Sequence, residues 1–188
     1  MTRRRSSARR PAISVLRIGH RPGRDPRLTT HLALAARAWG AERMYLHPPD
    51  PILAERLAHV AREWGAGFTV EPAPDWKAVV RAHAGAVVHL TMYGEPIDRR
   101  LPELARQRRL LLVVGGAKVP PELFQRADWN VAVGAQPHSE VAAVAVLLDR
   151  LGGIPPARRR KGARRRIVPQ PRGKRVLGPG GRKRGRDR

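Results

Sequence analysis

The sequence contains no cysteine. This absence excludes disulfide bonds, thiolate metal ligands and a cysteine nucleophile. No apolar run approaches the roughly 18 residues of a transmembrane helix, and no apolar signal segment follows the arginine-rich N-terminus. The seven histidines form no compact metal-binding spacing of the H-E-x-x-H kind. We therefore expect a cytoplasmic protein that binds no metal and does not contact a membrane.

Acidic residues are scarce at both ends of the chain, which carries a net charge of +23. Residues 1–11 hold five arginines and no acid, and residues 155–188 hold fifteen lysines or arginines and one acid. We expect both segments to be disordered, flanking a single domain at residues 12–154. Such segments bind polyanions such as nucleic acid, although a solubilising tail has the same composition.

Apolar runs typical of strands alternate about six times with stretches of helical periodicity. Strands are expected near residues 13–18, 44–46, 68–70, 86–90, 110–114 and from 131 onward. Helices are expected near residues 31–39, 51–64, 76–83, 97–108, from 120 or 121, and 141–148. This order predicts an α/β fold with a mostly parallel sheet flanked by helices.

Polar residues that commonly cap helices precede four of these helical stretches. Thr29 or Thr30 is expected to cap the first, and Asp50, Asp75 and Ser139 are expected to cap three others. The last helix is apolar on nearly every face, so we expect it to be buried on all sides.

Three unusual loops follow strands in the second half of the chain, at residues 89–94, 115–119 and 134–140. Ligands of open α/β sheets bind at the carboxyl ends of strands, so these loops predict a binding site. None contains the G-x-G-x-x-G or G-x-x-x-x-G-K-[ST] pattern, which argues against nicotinamide chemistry and nucleotide hydrolysis. Taken alone, Gly115 and Gly116 are typical of turns, and His89 is expected to satisfy a neighbouring backbone group.

A fourth loop, at residues 17–31, follows the first strand and is called the arginine loop below. It holds four arginines, two histidines and one carboxylate within fifteen residues. Guanidinium groups bind phosphate through two parallel hydrogen bonds, so the loop favours a phosphate-containing partner. The alternative is a solvated charged loop without a ligand.

The arginine loop and two of the later loops resemble the archaeal tRNA cytidine-56 ribose 2′-O-methyltransferases. The matching motifs are Leu-Arg-Ile-Gly-His-Arg-Pro-x-Arg-Asp-x-Arg-x-Thr-Thr-His at residues 16–31, His-Leu-Thr-Met-Tyr-Gly at 89–94 and Gly-Ala-Gln-Pro-His-Ser-Glu-Val at 134–141. This family belongs to the SPOUT class of S-adenosyl-L-methionine enzymes. The resemblance runs in order from about residue 15 to residue 151, and the basic tail lies outside it.

The resemblance implies an α/β domain whose C-terminal part is tied in a deep trefoil knot and which works as a homodimer. It implies methyl transfer from S-adenosyl-L-methionine to the ribose 2′-hydroxyl of cytidine 56 in the tRNA T-loop. The implied cofactor contacts are Leu90, Gly115, Gly116, Ala117, Lys118, Val119, Val133, Gly134, Ala135, Gln136, Pro137, His138, Ser139 and Glu140.

Two of these loops depart from the family pattern. Ala135 stands where the family usually has an asparagine, and Gly116 and Ala117 stand where it usually has alanine and glutamate. Each change removes a side chain and leaves the backbone groups. Cofactor binding is therefore expected to survive if the cofactor is held mainly by backbone atoms.

For the reaction itself, Arg27, His31 and Ser139 are the candidates. Arg27 is the candidate for accepting the hydroxyl proton or holding the adjacent phosphate, and His31 is the conventional general base. Ser139 matches a serine that helps to orient the nucleophile, although it could equally be a plain helix cap. Arg17, Arg21 and Arg24 are expected to contact phosphates of the RNA.

Two other functions remain open from the sequence. One is a basic RNA-binding α/β protein without catalytic activity, which would bind RNA but not the cofactor. The other is a SPOUT methylase that acts on a different RNA site.

Overall fold

Six parallel strands form the centre of the computed structural model, which describes residues 10–116, 118–152 and 161–178. They are β1 (Ala12–Ile18), β2 (Arg43–Leu46), β3 (Thr69–Pro72), β4 (Ala86–Pro96), β5 (Arg109–Gly115) and β6 (Trp129–Ala132). The strands pair in the order β3-β2-β1-β5-β4-β6, and every pair is parallel. The predicted α/β fold with a mostly parallel sheet is confirmed.

Helices cover both faces of this sheet. One face carries α1 (Pro26–Ala38), α2 (Pro51–Trp64), α4 (Ile97–Arg106) and α6 (Glu140–Gly152), and the other carries α3 (Trp76–Ala82) and α5 (Pro121–Arg126). Strand β5 contributes side chains to the hydrophobic core on each face of the sheet. Leu110 and Leu112 face the first set of helices, while Leu111 and Val113 face the second. A strand covered on both faces needs the continuous apolar run that the sequence shows there.

Three of the four predicted helix caps are confirmed. The Asp50 carboxylate accepts a hydrogen bond from the backbone N–H of Leu53 at 2.9 Å, Asp75 accepts one from Lys77 at 2.8 Å, and Ser139 Oγ accepts one from Val141 at 3.0 Å. Each bond satisfies a donor that the first helical turn leaves unpaired.

The threonine cap predicted for the first helix is wrong. Helix α1 begins five residues before His31, at Pro26, because proline is suited to the first position of a helix, where no N–H donor is needed. Thr29 therefore lies within the first turns and is buried, and the Thr30 hydroxyl donates to the Pro26 carbonyl.

Strand β4 is longer than its apolar run predicted. The segment after Leu90, expected to be a loop, stays extended to Pro96. The register with β6 shifts between Leu90 and Glu95, so that both residues pair with Val131. A bulge of this kind changes the direction of the strand beside a site. The hydrophobic pattern of the sequence does not reveal it.

The expectation that the last helix is buried on every side is wrong for the single chain. Its core side packs under the sheet through Val144, Leu147 and Leu148, but Ala142 is exposed and Val146 is 39% exposed. An apolar strip on α6 thus faces outward.

No helix in the described ranges combines the length and apolar character needed to cross a bilayer.

Part of the basic tail has structure, contrary to the expectation of disorder. Residues 161–178 contain β7 (Arg166–Val168) and β8 (Arg175–Leu177), which pair as an antiparallel hairpin. Its strands have only three residues each amid Arg, Pro and Gly, so they leave no clear pattern in the sequence.

Arg10, predicted to be disordered, donates to the carbonyls of Trp39 and Leu148. The other residues of the segments predicted to be disordered are only partly described, since residues 1–9, 153–160 and 179–188 lie outside the described ranges.

Candidate active site

A cavity of about 740 Å³ lies at the carboxyl ends of β4, β5 and β6. Residues 89–93 of β4, the segments that follow β5 and β6, Phe124 of α5 and the start of α6 line it. Its lining residues are His89, Leu90, Thr91, Met92, Tyr93, Gly115, Gly116, Lys118, Val119, Phe124, Val131, Val133, Pro137, His138, Ser139, Glu140 and Ala143. The three loops that the sequence singled out therefore meet at one place, as the rule for open α/β sheets predicts.

Most of the predicted cofactor residues lie on this cavity. The ten that do are Leu90, Gly115, Gly116, Lys118, Val119, Val133, Pro137, His138, Ser139 and Glu140. Gly134, Ala135 and Gln136 belong to the same loop, but they are exposed and do not line the cavity. Ala117 lies outside the described residues.

Gly115 forms a tight corner at the end of β5. A Cβ atom on this residue would lie 2.6 Å from Val119 Cγ2 and 3.1 Å from Ile18 Cγ1. An added methyl group would therefore have to displace the Val119 side chain and press against that of Ile18. Gly115 is thus more than a flexible turn residue, because its lack of a side chain lets Val119 and Ile18 pack against the end of β5.

His89 is a cavity-lining residue whose role the sequence did not predict correctly. It was expected to satisfy a backbone group, but its Nδ1 bonds Asn130 Oδ1 at 2.8 Å, and its ring packs edge-on against Phe124. The Asn130 amide nitrogen donates to the Phe124 carbonyl, so the amide oxygen faces the ring and Nδ1 must be the donor. The Nε2 atom is then an acceptor, and it is buried without a partner in the described residues.

Burial lowers the pKa of His89 below its ordinary value, and the bond to Asn130 opposes this effect only in part. The neutral ring is therefore favoured near neutral pH. Asn130 lies opposite His89 in the pairing of β4 with β6. The sequence does not reveal this register, so it could not predict that the two side chains meet.

Arg17 does not occupy the position predicted for it. Its side chain is 1% exposed, and its guanidinium contacts Glu140 at 3.2 Å and the Ile18 carbonyl at 3.0 Å. The predicted phosphate contact at Arg17 is therefore wrong for this structure, because the group is out of reach of a large polyanion. The arginine instead joins the end of β1 to Glu140, which lines the cavity.

The rest of the arginine loop is held in place at its base. Buried His20 bonds Thr29 Oγ1 through Nδ1 at 2.8 Å and Asp50 through Nε2 at 3.1 Å. These bonds tie the first part of the loop to α1, whose first turns form the rest of it, and to the residue that caps α2. The Leu53 backbone bond, followed by the hydrogen bond from His20, lowers the pKa of Asp50, so the carboxylate stays charged.

The remaining predicted RNA and reaction residues of this loop are solvent-exposed. Arg21 forms an ion pair with Asp25 at 2.9 Å, and Arg24, Arg27 and His31 are exposed without an ion pair in the described part of the chain. None of them lines the cavity, and Lys118 is the only lysine or arginine among the described residues that do. The loop and the cavity are thus two separate surfaces of one chain.

Comparison with known proteins identifies the family. The family model described as tRNA ribose 2′-O-methyltransferase, aTrm56, matches residues 64–177. A tRNA (cytidine(56)-2′-O)-methyltransferase of Cenarchaeum symbiosum is 49% identical over 168 residues, covering 88% of this chain and 96% of that protein. The enzyme of the same name from Thermococcus kodakarensis is 49% identical over 176 residues, covering 89% and 98%.

Solved structures share the fold at low sequence identity. The SpoU methyltransferase AviRb from Streptomyces viridochromogenes, in complex with AdoMet, has a TM-score of 0.54 at 18% identity and covers 76% of this chain. An AdoMet-bound rRNA methyltransferase from Sinorhizobium meliloti has a TM-score of 0.55 at 20% identity and covers 77%. The chain spans 57% of the length of each.

The family match also corrects one expectation, because it extends to residue 177 and so includes most of the described hairpin, which was expected to lie outside the resemblance. With a family model that covers more than half of the sequence and relatives at 49% identity over nearly all of it, this chain belongs to the archaeal-type tRNA ribose 2′-O-methyltransferases.

Proposed function

We propose that this protein transfers the methyl group of S-adenosyl-L-methionine to the ribose 2′-hydroxyl of cytidine 56 in the tRNA T-loop. The observation that supports it best is one cavity lined by residues of the three segments 89–94, 115–119 and 134–140, two of which carry motifs that resemble the family. The substrate is that named for relatives matching nearly the whole chain. We place the protein in the cytoplasm, where tRNA is modified.

The cavity fits the cofactor in size and chemistry. Its volume of about 740 Å³ is within the range of about 300–1,000 Å³ typical of small-molecule sites. Lys118 and Glu140 provide one charge of each sign, which suits a ligand with a carboxylate, an ammonium and a cationic sulfur. When bound, the cofactor supplies an electrophilic methyl group.

The protein's own residues must position the ribose and help to remove its proton. Positioning can lower such a barrier by about 7–11 kcal/mol. Ser139 is suited to orient the hydroxyl, since it is exposed at the cavity and at the start of α6. Arg27 is our candidate for the proton acceptor or the phosphate contact, with His31 as the alternative base. Arg21 and Arg24 supply further phosphate contacts.

A homodimer would complete the site, and we include it in the proposal. Arg27 and His31 do not line the cavity of their own chain, so a second copy is needed to place them beside it. The exposed apolar strip of α6, with Ala142 and Val146, begins at the cavity and is suited to pack against that copy. The trefoil knot is likewise part of the proposal, formed from the chain that carries the three cavity loops.

Methyl transfer to a defined tRNA tests the proposal directly. Purified protein would be incubated with labelled cofactor and an unmodified tRNA transcript, and the labelled nucleotide would be mapped. The matched control is the same tRNA with 2′-deoxycytidine at position 56, which lacks only the acceptor oxygen. We expect label at cytidine 56 in the first RNA and none in the second.

Other results would favour the other functions. Label at another nucleotide would identify a SPOUT methylase of different specificity. RNA binding with no label and no thermal shift on adding cofactor would identify a non-catalytic RNA-binding protein.

A further inference from the structure

We propose that the basic hairpin, residues 161–178, is a second docking surface for the sugar–phosphate backbone of the RNA, separate from the methyl-transfer site. This inference rests on the proposed function, because it assumes an RNA substrate. It assigns a specific structural element to binding and predicts that this element affects affinity without affecting the chemical step.

The charge of the hairpin supports an anionic partner. Its eighteen residues include seven lysines or arginines and no acid. Arg164 and Arg165 pair with Glu63 at 3.8 and 2.7 Å, whereas the other five have no carboxylate within ion-pair distance among the described residues. These five are Lys161, Arg166, Arg172, Lys174 and Arg175. Such a cluster attracts phosphates and releases their counterions on binding.

The hairpin is attached to the domain through backbone bonds. The N–H groups of Arg164 and Arg165 donate to the Glu63 carbonyl at 3.0 and 2.9 Å, and the Ala66 N–H donates to the Lys161 carbonyl at 3.0 Å. A two-stranded hairpin alone is marginally stable in water, so this attachment to the end of α2 holds the cations in place. The segment therefore presents its charges from a fixed position.

The position of the attachment separates it from the cavity. Helix α2 begins after the carboxyl end of β2 and runs back to the amino end of β3, an edge strand. Glu63 thus lies near the amino end of the sheet, whereas the cavity lies at the carboxyl ends of β4, β5 and β6. Contacts made by the hairpin would reach a part of the RNA away from the methylated nucleotide.

The exposed apolar residues of the hairpin are compatible with RNA. Ile167 and Val176 pair across the two strands and are 63% and 41% exposed. Arg166 and Arg175 directly neighbour them in the two strands, and a second copy of the chain has the same excess of positive charge. Repulsion between hairpins therefore disfavours self-association there, whereas ribose and base surfaces offer apolar area next to phosphates.

The test compares two full-length variants that lose the same charge. R172Q/K174Q/R175Q removes three cations from the hairpin, and R106Q/R108Q/R109Q removes three exposed cations near the amino end of β5. Apparent KM for tRNA, kcat, and tRNA affinity between 50 and 300 mM salt would be measured for each. Circular dichroism and light scattering would monitor folding and oligomeric state.

We expect the hairpin variant to raise the KM for tRNA about ten-fold or more and to leave kcat unchanged. Its slope of log affinity against log salt should flatten by about two, since each phosphate contact contributes roughly 0.7–0.9. The control variant should stay within about two-fold of the wild type. A third variant, R172K/K174R/R175K, keeps the charge and should bind as the wild type does.

Several results would overturn the inference. Equal effects in the two glutamine variants would mean that only total charge matters. Loss of affinity in the charge-preserving variant would point to a structural role. A changed oligomeric state with unchanged tRNA affinity would identify a protein-docking surface. Failure of the wild-type protein to methylate tRNA would instead contradict the proposed function. The two failures can be told apart because tRNA affinity is measured by equilibrium binding, independently of methylation.

Discussion

Arg17 and Glu140 form an ion pair at 3.2 Å that joins the end of β1 to the first residue of α6. The two partners differ in exposure, at 1% for the arginine side chain and 18% for the carboxylate. The guanidinium also lies close to Gly116, where an added Cβ would be 3.8 Å from it. The pair therefore links the strand that precedes the arginine loop to two segments of the cavity.

The unequal burial predicts unequal costs for removing each partner. Glu140→Ala leaves a buried guanidinium without its carboxylate, and we expect a loss of about 3–5 kcal/mol in the free energy of unfolding. Arg17→Met should cost less, because Glu140 can still reach water. The double variant should be more stable than Glu140→Ala alone, measured by urea unfolding. If the losses in unfolding free energy of the two single variants simply add up in the double variant, the two side chains do not stabilise each other.

Gly94 and Gly116 provide a comparison between two glycines near the cavity. A Cβ at Gly94 would lie 2.5 Å from backbone atoms of Asn130 and Val131, whereas at Gly116 the nearest neighbours are at 3.8 Å. We expect Gly94→Ala to lower the free energy of unfolding by roughly 1–3 kcal/mol, since backbone atoms cannot move aside easily. Gly116→Ala should be nearly neutral. Similar thermal unfolding of both variants would contradict the close β4–β6 packing.

The sequence predicted most of the fold because the signals were local. Apolar runs identified the buried strands, and Asp50 and Asp75 identified two helix starts. The bulge after Leu90 was missed because it depends on pairing with Val131, 41 residues further along the chain. The hairpin was missed because its stability depends on bonds to Glu63, a residue about a hundred positions earlier.

The site was predicted in its location but less well in its details. The rule for strand ends identified the three loops, and the family resemblance supplied residues such as Lys118 and Ser139. Charge alone suggested that Arg17 would face RNA, yet it is buried with its neighbours at residues 15–18, because helices cover both faces of β1. The partners of His89 likewise required the sheet order.

Arg27 is the residue of the arginine loop for which we expect the largest effect on the reaction. Arg27→Ala should lower the single-turnover rate of methyl transfer by about 10²-fold or more, the range typical of lost proton-transfer catalysis. Cofactor affinity, measured by calorimetry, should stay at the wild-type value because Arg27 does not line the cavity of its own chain. His31→Ala is the matched variant. A larger loss in that variant would assign the proton transfer to His31 instead.

Ser139 combines a cap with a position at the cavity, and two substitutions separate these roles. Ser139→Ala removes the oxygen that accepts from Val141, and we expect a loss of about 0.5–2 kcal/mol in unfolding free energy. Ser139→Asn keeps an acceptor at the cap and should restore stability. If the hydroxyl orients the nucleophile, both variants lose kcat. Full activity of Ser139→Asn would show that the serine is only a cap.

His89 predicts a dependence of stability on pH. Burial lowers its pKa in the folded chain, so the unfolded chain binds protons more readily as the pH falls below about 6.5, the ordinary histidine value. The free energy of unfolding should therefore be highest at neutral pH and decrease toward pH 5. His83, whose pKa is also lowered, mainly by burial, contributes in the same direction.

Urea unfolding at pH 7.5 and pH 5 would isolate the contribution of His89. His89→Gln keeps a side-chain donor for Asn130 but cannot take up a proton, so its loss of stability on acidification should be smaller than that of the wild type. His59→Gln replaces an exposed histidine of α2 and should lose as much as the wild type does. An unchanged pH dependence in His89→Gln would mean that the ring protonates in the folded protein as easily as in the unfolded chain, which would contradict its burial beneath Phe124.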